Sequence, residues 1–189
     1  MKKKVLIEVS ARHVHLSQED LEKLFGKNHE LRNIKKLSQS DDFASSDIIE
    51  IVHGDKKLKA RVLGPIRRET QVEISITDAH ELKLGKIPPV RVSGDLSGAD
   101  EILIKGRKGN VKGKVIIAKR HLHASEEDAH RLGLRQNQIV KIKVDGNRGL
   151  IFDNVVVRIK KDFKLALHLD TDEGNAGGIK GKDYGELLR

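Results

Sequence analysis

One short word is written twice in this chain and constrains the rest of it: Arg12-His13-Val14-His15 and Arg120-His121-Leu122-His123. Each copy continues alike, Leu16-Ser17-Gln18-Glu19-Asp20-Leu21 after the first and Ala124-Ser125-Glu126-Glu127-Asp128-Ala129 after the second. Positions 13 and 121, and again 15 and 123, stand 108 residues apart, which marks an internal repeat. In an extended strand, side chains at i and i+2 leave the same face. Each His-x-His therefore aims two imidazoles at one point, as a metal ion requires. Two such points in 189 residues predict a two-metal enzyme.

The flanking pattern supports a repeated strand-turn-helix plan. Lys4 to Ser10 alternates as a strand, with Val5, Ile7 and Val9 on one face. Ser17 reads as an N-cap, with Glu19 and Asp20 in the first turn, a stripe of Leu21, Leu24 and Phe25, and Gly26 as the stop. In the second copy Ser125 caps, Asp128 takes the third helical position and Gly133 closes.

Between the copies the chain reads mostly as strand and turn. A strand over Asp47 to His53 turns at Gly54-Asp55 into another over Leu58 to Leu63. Gly64-Pro65 breaks that strand. Thr70 to Thr77 alternates cleanly, with Val72, Ile74 and Ile76 on one side and Gln71, Glu73 and Ser75 on the other. A further echo joins Asp78-Ala79-His80-Glu81-Leu82 to Asp128-Ala129-His130-Arg131-Leu132, each a short helix leading into a valine-rich strand. Short helices among many short strands predict a mainly β chain of two small β-barrels with capping α-helices, rather than a sandwich or a doubly wound sheet.

Composition narrows the chemistry. The chain has no cysteine, which removes disulfides, thiolate ligands and a cysteine nucleophile together. A cytoplasmic protein is the expectation. Charged residues make up 34% of the chain, no apolar run is long enough to span a bilayer, and Glu8 interrupts Val5-Leu6-Ile7 before any signal peptide could form. No membrane association is expected. The net charge of +9 favours a polyanionic partner, either nucleic acid or a phosphate-rich small molecule. With no Trp, one Tyr and four Phe there are few platforms for base stacking, so nucleic acid is not the expected partner.

A third imidazole for one of the His-x-His pairs is available at His168, on the strand face opposite Leu165, Leu167 and Leu169. The candidate ligands are nitrogen and carboxylate only. Three protein ligands with an open position is the catalytic zinc pattern, whereas structural zinc sites lean on cysteine. Arg67 and Arg68, after the Gly64-Pro65 break, could clamp a phosphate through a planar fork, and Glu73 could complete a metal sphere. Asp78, Asp170, Asp172 and Glu173 are candidates to orient ligand imidazoles. His29, His53, His80 and His130 lack partner spacing and are read as non-ligands.

Several long motifs, in order, carry a resemblance over nearly the whole chain. They are Val9-Ser10-Ala11-Arg12-His13-Val14-His15-Leu16-Ser17, the stretch from Gly64-Pro65 to Thr70-Gln71-Val72-Glu73, and Pro89-Val90-Arg91-Val92-Ser93-Gly94-Asp95. Lys119-Arg120-His121-Leu122-His123-Ala124 follows, and then His168-Leu169-Asp170 through Asp172-Glu173-Gly174-Asn175-Ala176. The set resembles the PduL-type phosphotransacylases, the phosphate propanoyltransferase family. That resemblance implies two β-barrels with the active site between them: one discontinuous, from 1–11 plus 119–189, the other from 12–118. It implies two zinc ions, one held by His13, His15 and Glu73, the other by His121, His123 and His168. Arg67 would be the catalytic, phosphate-binding residue, and Val9, Ser10, Ala11, Arg61 and Asn175 fall where the family contacts coenzyme A.

The expected reaction is reversible transfer of a short acyl group, propanoyl or acetyl, between coenzyme A and phosphate, by direct zinc-assisted attack without a cysteine-bound intermediate. Members packaged in microcompartments carry an amphipathic extension before the first strand, whereas only Met1-Lys2-Lys3 precedes it here, so a free cytoplasmic enzyme is expected. A homo-oligomer is expected as well. Two alternatives stay open on the residues alone: a metal-dependent hydrolase, and a basic β-barrel that binds nucleic acid. The first meets the difficulty that an eight-fold α/β barrel needs roughly 250 residues; the second leaves the duplicated histidines without a use.

Overall fold

The structure, a computed structural model, describes residues 3–39, 41–181 and 183–188. Met1 and Lys2, ahead of the first strand, lie outside the described residues. In chain order the first strands are β1 (Lys4–Ser10), β2 (His13–His15), β3 (Asn33–Lys36), β4 (Phe43–His53), β5 (Lys56–Gly64), β6 (Gln71–Ile74) and β7 (Val90–Arg91). They are followed by β8 (Glu101–Lys105), β9 (Asn110–Ala118), β10 (His121–Ala124), β11 (Ile139–Val144), β12 (Leu150–Ile159), β13 (Ala166–Asp170) and β14 (Asp183–Leu188). The helices are α1 (Gln18–Phe25), α2 (Ile76–Glu81), α3 (Glu126–Leu132) and α4 (Thr171–Ala176).

By its contacts the chain divides into two compact units, 12–118 and 1–11 with 119–189. In the first, β2 pairs with β5 in parallel and with β6 antiparallel, and β6 pairs with β9 in parallel. The antiparallel series β9, β8, β4, β5 then closes a six-stranded barrel, to which β3 and β7 are appended. In the second unit β10 pairs with β12 in parallel and with β13 antiparallel, and β13 pairs with β1 in parallel. The antiparallel series β1, β14, β11, β12 closes that barrel. The mainly β fold with two barrels and short helices is therefore the one that the strand-and-turn pattern predicts.

Strand for strand the two rings are the same, and the equivalence exposes an exchange. β2, β4, β5, β6, β8 and β9 of one ring correspond to β10, β11, β12, β13, β14 and β1 of the other. Each repeat thus lends its first strand to the other repeat's barrel. Alternation fixes what each strand buries. Val14, Val62, Val72 and Val115 point into one core; Ile7, Leu122, Val157 and Leu167 point into the other, all aliphatic. Ser17 and Ser125 cap α1 and α3 by accepting from the N–H groups of Asp20 and Asp128. Gly133 stops α3 in the left-handed conformation, at φ 64°.

Two expectations need correction. The clean alternation over Thr70 to Thr77 is not one strand: β6 stops at Ile74, and Ser75 opens α2. Ser75 Oγ accepts from the Asp78 N–H at 3.2 Å while the Asp78 carboxylate accepts from the Ser75 N–H at 3.1 Å. This reciprocal cap outweighs β propensity and turns Ile76 out to solvent. The echo between 78–82 and 128–132 is also not a repeat equivalence. α2 follows β6, whose counterpart β13 leads into α4, while α3 follows β10, the counterpart of β2. The two segments look alike only because both are short capped helices.

Candidate active site

The same alternation that buries Val14 and Leu122 places their flanking histidines on the other strand face. In the 12–118 unit His13 on β2 stands opposite Glu73 on β6, and His15 follows two residues on. His13 Nε2 lies 3.6 Å and His15 Nε2 3.8 Å from the two oxygens of Glu73. In the other unit His121 on β10 stands opposite His168 on β13. Its three imidazoles pack with ring centroids 4.6 to 5.2 Å apart. In each trio the ligand atoms all lie within 4.8 Å of one another. The third member of each trio thus occupies the same register position, although one is a carboxylate and the other an imidazole.

The electrostatics suit metal ligation. Burial foremost, and then His13 and Arg67, hold His15 well below the ordinary histidine pKa. His123 is lowered to about 2, again by burial first and then by His121 and His168. Both imidazoles are neutral at neutral pH and carry a lone pair. Burial alone would raise the Glu73 carboxyl, but His13, His15 and the Ser93 hydroxyl outweigh it and keep the group well below the usual range. The Lys119 carbonyl accepts from Nδ1 of His121 at 2.9 Å, which leaves the lone pair on Nε2. Nδ1 of His123 and Nε2 of His168 are buried with no hydrogen-bond partner. Buried polar atoms are nearly always paired, and a cation between the rings is the partner that these nitrogens fit. The donor set, imidazole with one carboxylate, is that of zinc or a neighbouring first-row metal.

Arg67 joins the first trio through one hydroxyl. Its Nη1 donates to Ser93 Oγ at 2.9 Å, and Ser93 Oγ donates to Glu73 Oε1 at 2.7 Å. Gln71 Nε2 donates to both Ser93 Oγ and Glu73 Oε1. The Arg67 backbone N–H is tied to the Leu16 carbonyl at 2.9 Å. Arg68 is exposed, so the expected arginine pair splits and only Arg67 turns toward the trio.

Among the remaining predicted residues, Arg61 lies on β5 beside His13 and donates to the Ser45 carbonyl at 2.6 Å. Val9 and Ser10 end β1, followed by Ala11, and Asn175 lies on α4 of the same unit. α4 rests on Val9 at Gly174, where a Cβ would meet Val9 Cγ2 at 2.6 Å. Glycine there lets the Asn175 turn approach the end of β1.

Three of the four acids expected to orient imidazoles do other work. Asp78, besides capping α2, pairs with Arg12 at 3.2 Å. Asp170 caps α4, and Glu173 pairs with Arg120 at 2.6 Å. In both barrels the arginine before the His-x-His thus anchors the capping acid of the helix that follows the third trio member. His29 lies 3.1 Å from Asp47, His53 Nδ1 lies 3.1 Å from the Leu82 carbonyl, and His80 and His130 are exposed; none joins a trio.

Sequence reasoning gave no role to Ser93 and none to Gln71 or Glu8. Gln71 shares a strand face with Glu73, which was a usable signal. Glu8 faces His168 across β1 and β13, with Oε2 3.0 Å from Nε2. Nothing in the local pattern announces that pairing.

Comparison with known proteins shows the family. A model of the phosphate propanoyltransferase family matches residues 6–180. A phosphate propanoyltransferase of Thermotoga maritima is 50% identical over 183 residues, covering 95% of this chain and 86% of the relative. Those of Clostridioides difficile and Listeria monocytogenes are 45% and 43% identical; they cover 100% and 98% of this chain, and 92% and 87% of their own lengths. This chain belongs to the phosphate propanoyltransferase family, a family of acyltransferases.

Proposed function

We propose that the chain interconverts a short-chain acyl-CoA plus phosphate with acyl phosphate plus coenzyme A, the acyl group being propanoyl or acetyl. His13, His15 and Glu73 hold one zinc ion in this reading, and His121, His123 and His168 a second. The observation that supports it is the first trio with Arg67 tied to it through Ser93: three side chains that could hold a metal and a cation suited to phosphate, linked by one hydroxyl. When bound, zinc supplies a Lewis acid for the negative charge of the carbonyl oxygen or the departing thiolate.

Arg67 takes the incoming phosphate through its planar fork and holds one oxygen against the thioester carbon. A carbon–oxygen bond forms, the carbon–sulfur bond breaks, and coenzyme A leaves as the thiolate. No cysteine exists to accept the acyl group, which fits direct transfer to phosphate. Val9, Ser10, Ala11, Arg61 and Asn175 contact coenzyme A, whose phosphates suit a chain of net charge +9.

Thioester absorbance with acetyl-CoA and propanoyl-CoA tests this reading. Loss of thioester should require phosphate, stop with chelator and return with zinc. Thioester loss without phosphate would replace it with hydrolysis, and no thioester loss in the zinc-loaded protein would refute it.

A further inference from the structure

We propose that Glu8 is a fourth protein ligand of the tri-histidine metal centre, which makes that centre His121, His123, His168 and Glu8. The inference rests on reading both trios as metal sites. Glu8, His168 and His121 form one row across three neighbouring strands, each the direct register partner of the next. Oε2 of Glu8 stands 3.0 Å from Nε2 of His168, yet that nitrogen has no hydrogen-bond partner. The two atoms are close without being aligned for a shared proton. Two donors bound to one zinc at about 2.0 to 2.1 Å stand about 2.9 to 3.3 Å apart when their angle is roughly 90 to 110°, so the observed separation is that of two ligands of one ion.

The repeat supplies an independent reason. In the other barrel the corresponding row is Ile116, Glu73 and His13. Where that row has a carboxylate in the middle and a fully buried isoleucine at the end, this one has an imidazole in the middle and a carboxylate at the end. The acid has moved over by one strand. Each centre then has one carboxylate, and each divalent ion is offset by the same single negative charge. At 29% side-chain exposure Glu8 is half-buried and set against the trio rather than directed into solvent.

The test uses the full chain carrying His13→Ala, which leaves the tri-histidine site alone, titrated with cobalt(II) after metal removal. Adding Glu8→Gln should weaken cobalt binding about 10- to 100-fold and change the visible absorption of the bound ion, with the melting temperature held. Glu8→Ile, which copies the row of the other barrel, should do the same. Unchanged affinity and spectrum, or weaker binding with an unchanged spectrum, would overturn ligation by Glu8. A His13→Ala protein that binds no cobalt would overturn the underlying assignment of the trio itself, which separates the two failures.

Discussion

Ser93→Ala is the sharpest probe of the link between phosphate binding and the first trio. The Ser93 hydroxyl has one proton and two lone pairs, and all three are used. It donates to Glu73 at 2.7 Å and accepts from Arg67 at 2.9 Å and Gln71 at 3.0 Å. Two of these bonds are charge-assisted, each of order 1.5–3 kcal/mol. Gln71 still donates to Glu73 in the variant, so the carboxylate keeps a partner and the loss falls mainly on Arg67. About 2 to 3 kcal/mol is expected, equivalent to a fall of about 30- to 160-fold in kcat/KM for phosphate. The KM for acyl-CoA should move by less than about threefold. Steady-state kinetics with each substrate varied in turn reads the split, with circular dichroism to confirm the fold, and Ser93→Thr should restore most of the loss. Equal losses for both substrates would refute the reasoning, as would an unaltered phosphate KM with full metal content.

Single ligand deletions should be separable: His15→Ala and His121→Ala each reduce bound metal from two ions per chain to one and abolish turnover, as elemental analysis and the thioester assay would read. Retention of two ions, or near-normal turnover of the His121→Ala protein, would remove those residues from the ligand set. Stability of the metal-free protein should fall as pH falls below about 6.5, because unfolded His123 takes up a proton there while the folded ring, lowered to about 2, does not. The slope from this one group is up to about 1.4 kcal/mol per pH unit, His15 acts in the same direction, and urea unfolding at pH 7 and pH 5.5 should show a shallower slope in His123→Ala. Gly174→Ala should cost about 1–3 kcal/mol through its contact with the stiff Val9 side chain; thermal melting reads the cost, and the KM for coenzyme A should rise with it.

What the sequence discloses and what it hides follow the physics of strands. The histidine pairs were legible because i and i+2 on one strand is a local relation that any extended segment honours. The equivalence of Glu73 and His168 was not, because residue type changes and the spacing between the repeats has shifted by then; the residues alone offered each as a further ligand, and only a resemblance over many motifs assigned each to its own pair. Ser93 and Glu8 depend on which strands lie side by side, and that is decided by barrel closure rather than by neighbours in sequence. The missed start of α2 was different. Ser75 and Asp78 spell a reciprocal cap in the sequence, and the regular alternation of Val72, Ile74 and Ile76 concealed it.

The exchange of first strands bears directly on the ligands. Arg12 is the first residue after the chain leaves the unit of β1, and Lys119 the first after it leaves that of β9, so each His-x-His begins within two residues of a crossover. A three- or four-residue ligand strand is too short to hold two imidazoles in place through its own ladder bonds. It runs downstream into the capped helix α1 or α3, which holds that end. The arginine at the crossover adds a second hold, on Asp78 in one barrel and Glu173 in the other. Those acids cap the helices that follow Glu73 and His168, so one ion pair in each barrel joins the strand carrying two trio members to the segment carrying the third. The repeated word therefore includes its arginine for a structural reason: it ties the third member of each trio to the two histidines.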